Sequence, residues 1–192
     1  MPALQWIAPL DDDGRIPGAH FVASPNHDER PEGGGVDLVV IHAISLPPDQ
    51  FGGPGVEQLF TNRLDPDEHP YYASIVQLRV SAHFFIRRDG SLMQFVPTAR
   101  RAWHAGVSSW QGRERCNDFS IGIELEGSDT LPFRAEQYDC LSRLLLRIRE
   151  RHPLADICGH SDIAPGRKTD PGPFFEWPRL RALLAAQGAA SG

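Results

Sequence analysis

The sequence predicts an α+β domain in which helices flank a central mixed β-sheet. Residues 38–41 are continuously apolar, which indicates a strand that is buried on both faces. Residues 120–127 alternate apolar and polar side chains, the period of a second strand, and residues 134–151 repeat apolar residues every three or four positions, as an amphipathic helix does. Strands and helices follow one another without a strict βαβ rhythm or an internal repeat, which favours a layered domain.

The other elements follow from local signals. A loop must follow the first strand, because Pro and Gly recur throughout residues 44–55. Asp89 and Gly90 lie between two apolar runs and are a strong hairpin signal. In chain order, the predicted elements are a short strand at 20–23, the strand at 37–42, a short helix at 56–64, hairpin strands at 81–86 and 91–96, the strand at 120–127, the helix at 134–151, a strand at 156–158 and a helix at 177–186.

Composition is that of one globular domain. The chain has 192 residues, of which 41% are hydrophobic and 23% are charged, enough to bury a sizeable core. We expect an irregular N-terminal arm over residues 1–35 packed on a single domain over residues 36–187, followed by a frayed tail over residues 188–192. The net charge of −6 argues against a nucleic-acid partner, and we expect a monomer.

The three cysteines indicate a reducing compartment. The cysteines are only three, an odd number, and none forms a CxxC pair: Cys116, Cys140 and Cys158. We therefore interpret them as small buried residues and not as a disulfide framework. The N-terminus lacks the basic and apolar regions of a signal peptide, and no apolar run approaches the length of a membrane span. These features predict a cytoplasmic protein that makes no membrane contact.

Residues 159–172 form a polar segment between Gly and Pro residues, which we interpret as a functional loop. His160 begins this loop directly after a predicted strand, and Asp170 lies near its end. His42 ends another predicted strand and is the best candidate for a third ligand. Two His and one carboxylate leave a fourth tetrahedral position for water, the layout of a hydrolytic zinc site. The alternative is a pair of structural histidines with Asp170 as an ordinary turn residue.

The strand at 120–127 carries a second set of polar residues. Its period of two places Glu124 and Glu126 on one face. If that face meets the metal cleft, Glu124 serves as a general base, whereas on a solvent face both glutamates are ordinary surface residues. Trp103 and Trp110 suit a wall that stacks on a sugar or peptide, although packing on the core is the default for an indole.

Eight segments resemble the zinc-dependent N-acetylmuramoyl-L-alanine amidases, specifically the AmpD-type enzymes that act on 1,6-anhydro-muropeptides. They extend over roughly residues 5–185, so the resemblance covers nearly the whole chain. The matching segments are VIH (40–42), ISLPP (44–48), FGGP (51–54), LRVSAH (78–83), IRRDG (86–90), RAWHAGVSS (101–109), GRERCNDFSIGIELEG (112–127) and RKTDPG (167–172).

The resemblance implies an amidase fold and a metal-dependent hydrolase. One zinc ion per chain would be held by His42, His160 and Asp170, with Glu124 and Lys168 as the catalytic pair. The implied reaction cleaves the amide between the lactyl group of (1,6-anhydro-)N-acetylmuramic acid and the L-alanine of a muropeptide. The implied setting is cytoplasmic peptidoglycan recycling, with residues 36–187 as the catalytic domain.

The resemblance also implies substrate contacts. Arg79 and Arg115 would meet the carboxylates of the peptide, with Trp110 nearby. Two positions beside the proposed metal depart from the family pattern: Ala43 stands where an Asn is common, and Ser161–Asp162 follows His160. These departures concern substrate contacts more than the chemistry.

Three other functions are compatible with parts of this pattern. A non-catalytic muropeptide-binding module on the same fold would lack one or more ligands, whereas this chain keeps all three. An Fe(II) oxygenase also uses two His and a carboxylate, but it commonly spaces one pair as H-x-D/E, which is absent around His42 and His160. An envelope amidase that acts on intact cell wall would need an export signal.

Overall fold

The computed structural model describes residues 7–189. Its strands are His20–Phe21 (β1), His27–Asp28 (β2), Leu38–Ile44 (β3), Phe84–Ile86 (β4), Leu92–Gln94 (β5), Arg101–Ala102 (β6), Ser109–Trp110 (β7), Arg113–Glu114 (β8), Ser120–Glu126 (β9) and Asp156–Gly159 (β10). Its α-helices are Gly55–Phe60 (α1), Pro70–Ile75 (α2), Ala135–Arg151 (α3), His160–Ile163 (α4) and Trp177–Ala189 (α5).

Six strands form one mixed sheet in the order β1-β5-β4-β9-β3-β10. β3 pairs in parallel with both β9 and β10, β4 is parallel to β9, and β4 and β5 form an antiparallel hairpin. Two further two-stranded ladders, β2-β6 and β7-β8, lie outside this sheet. The predicted α+β class with a mixed sheet and flanking helices is therefore confirmed.

Strand β3 is buried on both of its faces, as its continuous apolar sequence predicts. Val39 and Ile41 belong to the large core cluster that also contains the apolar face of α3. Leu38 and Val40 point to the opposite side, where they join a smaller cluster with Cys116 and Cys158. A strand covered in this way is held on both sides by apolar contact, which fixes its register against its neighbours.

Helix α3 matches its predicted extent to within one residue. Its buried apolar residues recur at three and four along the chain: Tyr138, Leu141, Leu144, Leu145 and Ile148. At its N-terminus the side chain of Gln137 accepts the backbone N–H of Arg134 at 3.0 Å, which replaces one missing helical hydrogen bond. Helix α5 packs against α3 and covers the same core.

Two helical segments differ from the sequence prediction. Helix α2 was not predicted, because it begins at Pro70 and is capped by an unusual residue, the His69 imidazole, which accepts the N–H of Tyr71 at 3.1 Å. The segment 159–172 was predicted as loop throughout, yet it begins with the single helical turn α4. The Asp162 carboxylate stabilises that turn by accepting the N–H of Gly159 at 2.7 Å.

The N-terminal arm contacts the rest of the domain at several points. β1 pairs with β5, β2 pairs with β6, and Ile7 and Ile16 are buried in the large core cluster. Residues 1–6 of the predicted arm lie outside the described residues. Of the tail predicted to fray, residues 188–189 end helix α5 and residues 190–192 also lie outside the described part.

A buried carboxylate joins the loop after β3 to the β4–β5 hairpin. Glu126 is 3% exposed, and its Oε1 accepts the N–H of Gly52 at 2.6 Å while its Oε2 accepts the N–H of Arg88 at 2.9 Å. The Arg87 guanidinium lies 3.7 Å away and offsets the charge. The loop that borders the cleft is thus fixed to the sheet by charge-assisted hydrogen bonds.

Glu126→Ala is expected to lower the free energy of unfolding by about 3 kcal/mol, because it leaves two backbone donors without an acceptor. Urea denaturation of the purified variant measures this loss. Glu150→Ala is the matched control, since Glu150 forms an exposed ion pair with Arg147 and should change stability by about 0.5 kcal/mol or less. Equal stabilities of the two variants would contradict the bracing role of Glu126.

Candidate metal centre

Three adjacent parallel strands bring Glu124, His42 and His160 to the same level of the sheet. The register of β3 and β9 places His42 directly beside Glu124. The register of β10 and β3 pairs Gly159 with Ile41, so the next residue, His160, lies beside His42. The carboxyl ends of parallel strands are the usual place for a ligand crevice in an open sheet of this kind.

His42, His160 and Asp170 converge on one point. Nδ1 of His42 lies 3.0 Å from Nδ1 of His160 and 3.2 Å from Oδ2 of Asp170, and Nδ1 of His160 lies 3.1 Å from the same oxygen. Both imidazoles are buried, and Asp170 is partly buried. The sequence prediction named these three residues, and the structure brings them together across 128 positions of the chain.

The donor set fits a tetrahedral metal ion. Bonds of about 2.0–2.1 Å to three corners of a tetrahedron place those corners about 3.3 Å apart, close to the three observed separations. Two imidazole nitrogens and a carboxylate oxygen are donors that zinc accepts. These three residues can therefore hold a divalent ion and leave one tetrahedral position open.

Backbone contacts hold the His160–Asp170 segment in place. Nε2 of His160 donates to the carbonyl of Ala105 at 3.2 Å, so the proton of a neutral ring lies on Nε2 and the lone pair of Nδ1 faces the other two ligands. The N–H of Ser161 donates to the carbonyl of Asp170 at 2.9 Å. The segment thereby closes on itself, and its two ligands are oriented before any ion binds.

The charges of the ligands suit metal binding. Burial lowers the pKa of His42 to about 4, against the opposing effect of Asp170. Burial alone would raise the pKa of Asp170, but the adjacent imidazoles of His160 and His42 outweigh it and hold that pKa well below its usual range. His42 is therefore neutral and Asp170 ionised at pH 7, the protonation states that a metal requires.

Glu124 lies next to the triad with an unused oxygen. It is 8% exposed, and among the described residues its buried Oε2 has no hydrogen-bond partner. Burial, with a contribution from Asp170, raises the pKa of Glu124 well above its ordinary value, while Lys168 acts in the opposite direction. A carboxylate of raised basicity that faces a metal cleft has the properties of a general base.

The cleft in front of the triad has a volume of about 540 Å³. One wall is apolar and consists of residues from α2 and the segment after it, Tyr71, Ile75 and Leu78. Lys168 lines the same cleft and is exposed. It is the sole lysine in the chain, because the other 18 of the 19 basic residues are arginines.

The three residues predicted to contact substrate lie at different distances from this cleft. Arg79 lines an adjoining cavity of about 190 Å³ together with His160 and Lys168. Arg115 lines a third cavity, which it shares with Arg167 of the metal segment. Trp110 packs at the edge of the sheet, where its indole N–H donates to Asp156 at 3.2 Å.

One residue of the site was missed by the sequence prediction. The ring of His104 contacts the candidate ligand His42, with ring centroids 5.0 Å apart. The sequence around it offers no ligand spacing, so the pattern alone does not mark it. His83, directly before β4, is fully buried and accepts the N–H of Gly122 through its Nδ1 at 3.0 Å.

Comparison with known proteins identifies the family. Residues 32–173 match the family of N-acetylmuramoyl-L-alanine amidases. The chain belongs to this family. The 1,6-anhydro-N-acetylmuramyl-L-alanine amidase AmpD of Salmonella typhimurium strain SL1344 is 56% identical over 178 residues, which cover 92% of this chain and 95% of that protein.

Solved structures of amidases have the same fold. A crystal structure of a selenomethionine derivative of AmpD is 56% identical, with a TM-score of 0.89 and coverage of 91% of this chain and 98% of that one. The amidase AmiD from Escherichia coli, in complex with anhydro-N-acetylmuramic acid-L-Ala-D-γ-Glu-L-Lys, is 27% identical with a TM-score of 0.56, over 92% of this chain and 65% of that one. Membership of the amidase family contradicts the Fe(II) oxygenase alternative.

The metal-free protein is expected to lose stability as the pH falls from about 6.5 to about 4. Burial lowers the pKa values of His42, His83, His104 and His152, so in this window the unfolded chain binds protons that the folded chain excludes. Each fully buried imidazole contributes a loss of up to about 1.4 kcal/mol per pH unit to the free energy of unfolding. Glu124 partly offsets this loss, because its raised pKa lets the folded chain bind one proton on this carboxylate as the pH falls.

Urea denaturation of the metal-free protein at pH 7, 6 and 5 measures this slope. His152→Asn serves as the comparison, since His152 lies outside the metal triad and its loss should make the slope shallower. A free energy of unfolding that stays constant between pH 7 and pH 5 would contradict the neutral, buried state of these histidines.

Proposed function

We propose that this amidase cleaves the amide bond between the lactyl group of 1,6-anhydro-N-acetylmuramic acid and the L-alanine of muropeptides. The observation that supports it most is the convergence of His42, His160 and Asp170 beside the buried Glu124, in a chain that is 56% identical to an AmpD over 92% of its length. We further propose a monomer that works in cytoplasmic peptidoglycan recycling. No helix within residues 7–189 is long and apolar enough to cross a membrane.

The domain boundaries are part of this proposal. Residues 36–187 are the proposed catalytic domain and residues 1–35 the proposed N-terminal arm, of which the structure describes residues 7–35. The pairing of β1 with β5 and the burial of Ile16 support the packed arm. The family match over residues 32–173 supports the position of the catalytic domain.

His42, His160 and Asp170 would hold one zinc ion. When bound, zinc polarises a carbonyl and acidifies water to a pKa near 7, which an unactivated amide requires for hydrolysis at neutral pH. The parallel strands hold His42 and His160 from behind, and the Ala105 carbonyl also holds His160. The N–H of Ser161 holds the backbone of Asp170, so no reorganisation of the protein is needed.

Glu124 is the proposed general base. Its raised pKa lets the carboxylate accept a proton from the attacking water and then, as a carboxylic acid, donate that proton to the leaving amine of L-alanine. The strand register fixes its position beside His42.

Lys168 is the proposed stabiliser of the oxyanion. It lies two residues before the ligand Asp170 and lines the cleft with Glu124. Its ammonium would compensate the negative charge that develops on the amide oxygen as water attacks. A chain that uses arginine everywhere else places its single lysine at this point, and a compact ammonium reaches a single oxygen more easily than a planar guanidinium does.

The substrate-binding roles of Arg79, Arg115 and Trp110 remain part of the proposal. Arg79 and Arg115 each line a cavity next to the metal segment and present guanidinium groups that bind carboxylates in pairs of hydrogen bonds. The apolar wall on the α2 side of the cleft offers a surface for a sugar ring. Trp110 would act at the far edge, because its indole N–H is already bonded to Asp156.

The second candidate function is a non-catalytic muropeptide-binding module. Such a module has no need of a buried carboxylate with an unused oxygen or of a complete set of metal donors. The presence of both favours catalysis.

Glu124→Gln is expected to retain one zinc ion per chain and to lose turnover, because it keeps the shape of the side chain but cannot accept the proton of water. His42→Ala and Asp170→Ala are expected to lose both zinc and turnover, because each removes a ligand. Metal analysis of the purified variants and chromatography of products from an anhydro-muramyl tripeptide measure the two properties. Full activity of Glu124→Gln would exclude the residue from the mechanism, and a zinc-free, inactive wild type would favour the binding module.

Lys168→Met is expected to lower kcat by about 10²–10³-fold with bound zinc unchanged, because it removes one stabiliser of the developing charge. Lys168→Arg is the matched variant that keeps the charge and should recover part of the rate. Amine-selective acylation is an independent test of the same role, because acylation removes the positive charge of an amine. The α-amine and Lys168 are the reactive amines of this chain. Unchanged kcat in Lys168→Met would contradict the role.

A further inference from the structure

A buried chain of hydrogen bonds lies behind the candidate ligand His42. Nδ1 of His104 lies 2.9 Å from Nε2 of His42, and Nε2 of His104 lies 3.1 Å from the hydroxyl of Ser120. That hydroxyl also lies 2.6 Å from the backbone carbonyl of Cys116. His104 and Ser120 are both buried, so the chain of contacts is closed to solvent at its inner end.

The direction of each hydrogen bond follows from the carbonyl. A carbonyl oxygen only accepts, and the short 2.6 Å contact assigns the single proton of Ser120 to Cys116. The Ser120 oxygen therefore accepts from His104, whose proton must lie on Nε2. Within residues 7–189 no carboxylate forms an ion pair with His104, so nothing compensates a second proton on this buried ring.

A neutral His104 with its proton on Nε2 has a lone pair on Nδ1. That lone pair accepts the Nε2–H of His42, which leaves Nδ1 of His42 unprotonated and directed at His160 and Asp170. The ring of His160 is set in the same state by the Ala105 carbonyl. Three lone pairs then converge without a proton between them, an arrangement that a cation stabilises.

We propose that His104 is a positioning residue that fixes the tautomer and the orientation of His42, with Ser120 and the Cys116 carbonyl as its anchor. The inference rests on the proposed metal site and extends it to residues that lie behind the ligand His42. Such partners behind a ligand raise its basicity and restrict its rotation, and their loss typically weakens metal binding by about 10–100-fold.

Strand β9 supplies an independent observation for this role. A Cβ atom at Gly122 would lie 2.4 Å from Cγ of His104, so the ring occupies the space that the missing side chain leaves. Ser120, Gly122 and Glu124 share one face of β9 because side chains alternate along a strand. One face of a single strand thus provides the anchor of His104, the room for its ring and the proposed general base.

The zinc affinity of purified, metal-free variants tests the inference. His104→Phe keeps an aromatic ring but offers no acceptor, and its dissociation constant for zinc should rise about 10–100-fold. His104→Asn places a carboxamide oxygen near the position of Nδ1 and should recover most of the affinity. His152→Phe is the matched control, since His152 contacts Thr98 and should leave zinc affinity unchanged.

Imidazole ¹⁵N NMR of the metal-free protein provides a readout that a merely structural role would not change. Wild type should show His42 protonated on Nε2, and His104→Phe should show a mixture of tautomers. Ser120→Ala removes the acceptor of His104 and should make His104 itself a mixture of the two tautomers. Because this change is small, it keeps the test valid if His104→Phe does not fold. Unchanged zinc affinity and an unchanged His42 tautomer in these variants would overturn the inference, whereas a wild type that binds no zinc would overturn the proposed metal site instead.

Discussion

The register of three parallel strands is the constraint on which the site depends. β9, β3 and β10 are hydrogen-bonded side by side, so Glu124, His42 and His160 reach the same edge of the sheet at the same level. Apolar packing on both faces of β3 holds that register, because a shift by one residue would turn a buried ligand toward the opposite core. The core of the protein therefore determines the distances between the reacting groups.

Burial has opposite effects on the two kinds of group at this edge. It keeps the imidazole of His42 neutral, ready to bind a cation, and it makes the carboxylate of Glu124 more basic. Asp170 resists the effect of burial because two imidazoles lie beside its carboxylate. A single apolar environment thus yields a neutral ligand, a charged ligand and a base, with exposed Lys168 as the nearby positive charge.

Much of this arrangement could be predicted from sequence, and the parts that could not have a common physical cause. The strands ending at His42 and His160 and the alternation around Glu124 are local patterns, and they were sufficient to name the groups that converge. Helix α2 escaped prediction because its cap is a histidine, and α4 because one helical turn can form among residues typical of loops. His104 and His42 are 62 residues apart in the chain, and the ring of His104 fits beside His42 because Gly122 has no side chain. No local sequence pattern indicates this contact.

The backbone hydrogen bond from Ser161 to Asp170 has a consequence for how such enzymes diversify. It closes a loop of the chain whose two ends carry metal donors. Ile163 and Ala164 in this loop are buried in a core cluster, whereas positions 165–166 are exposed and can change without moving either donor. Insertions or exchanges there would reshape the rim beside Val107 and Arg115, which the loop borders. New preferences for the peptide could therefore arise in this segment while the hydrolytic chemistry is inherited unchanged.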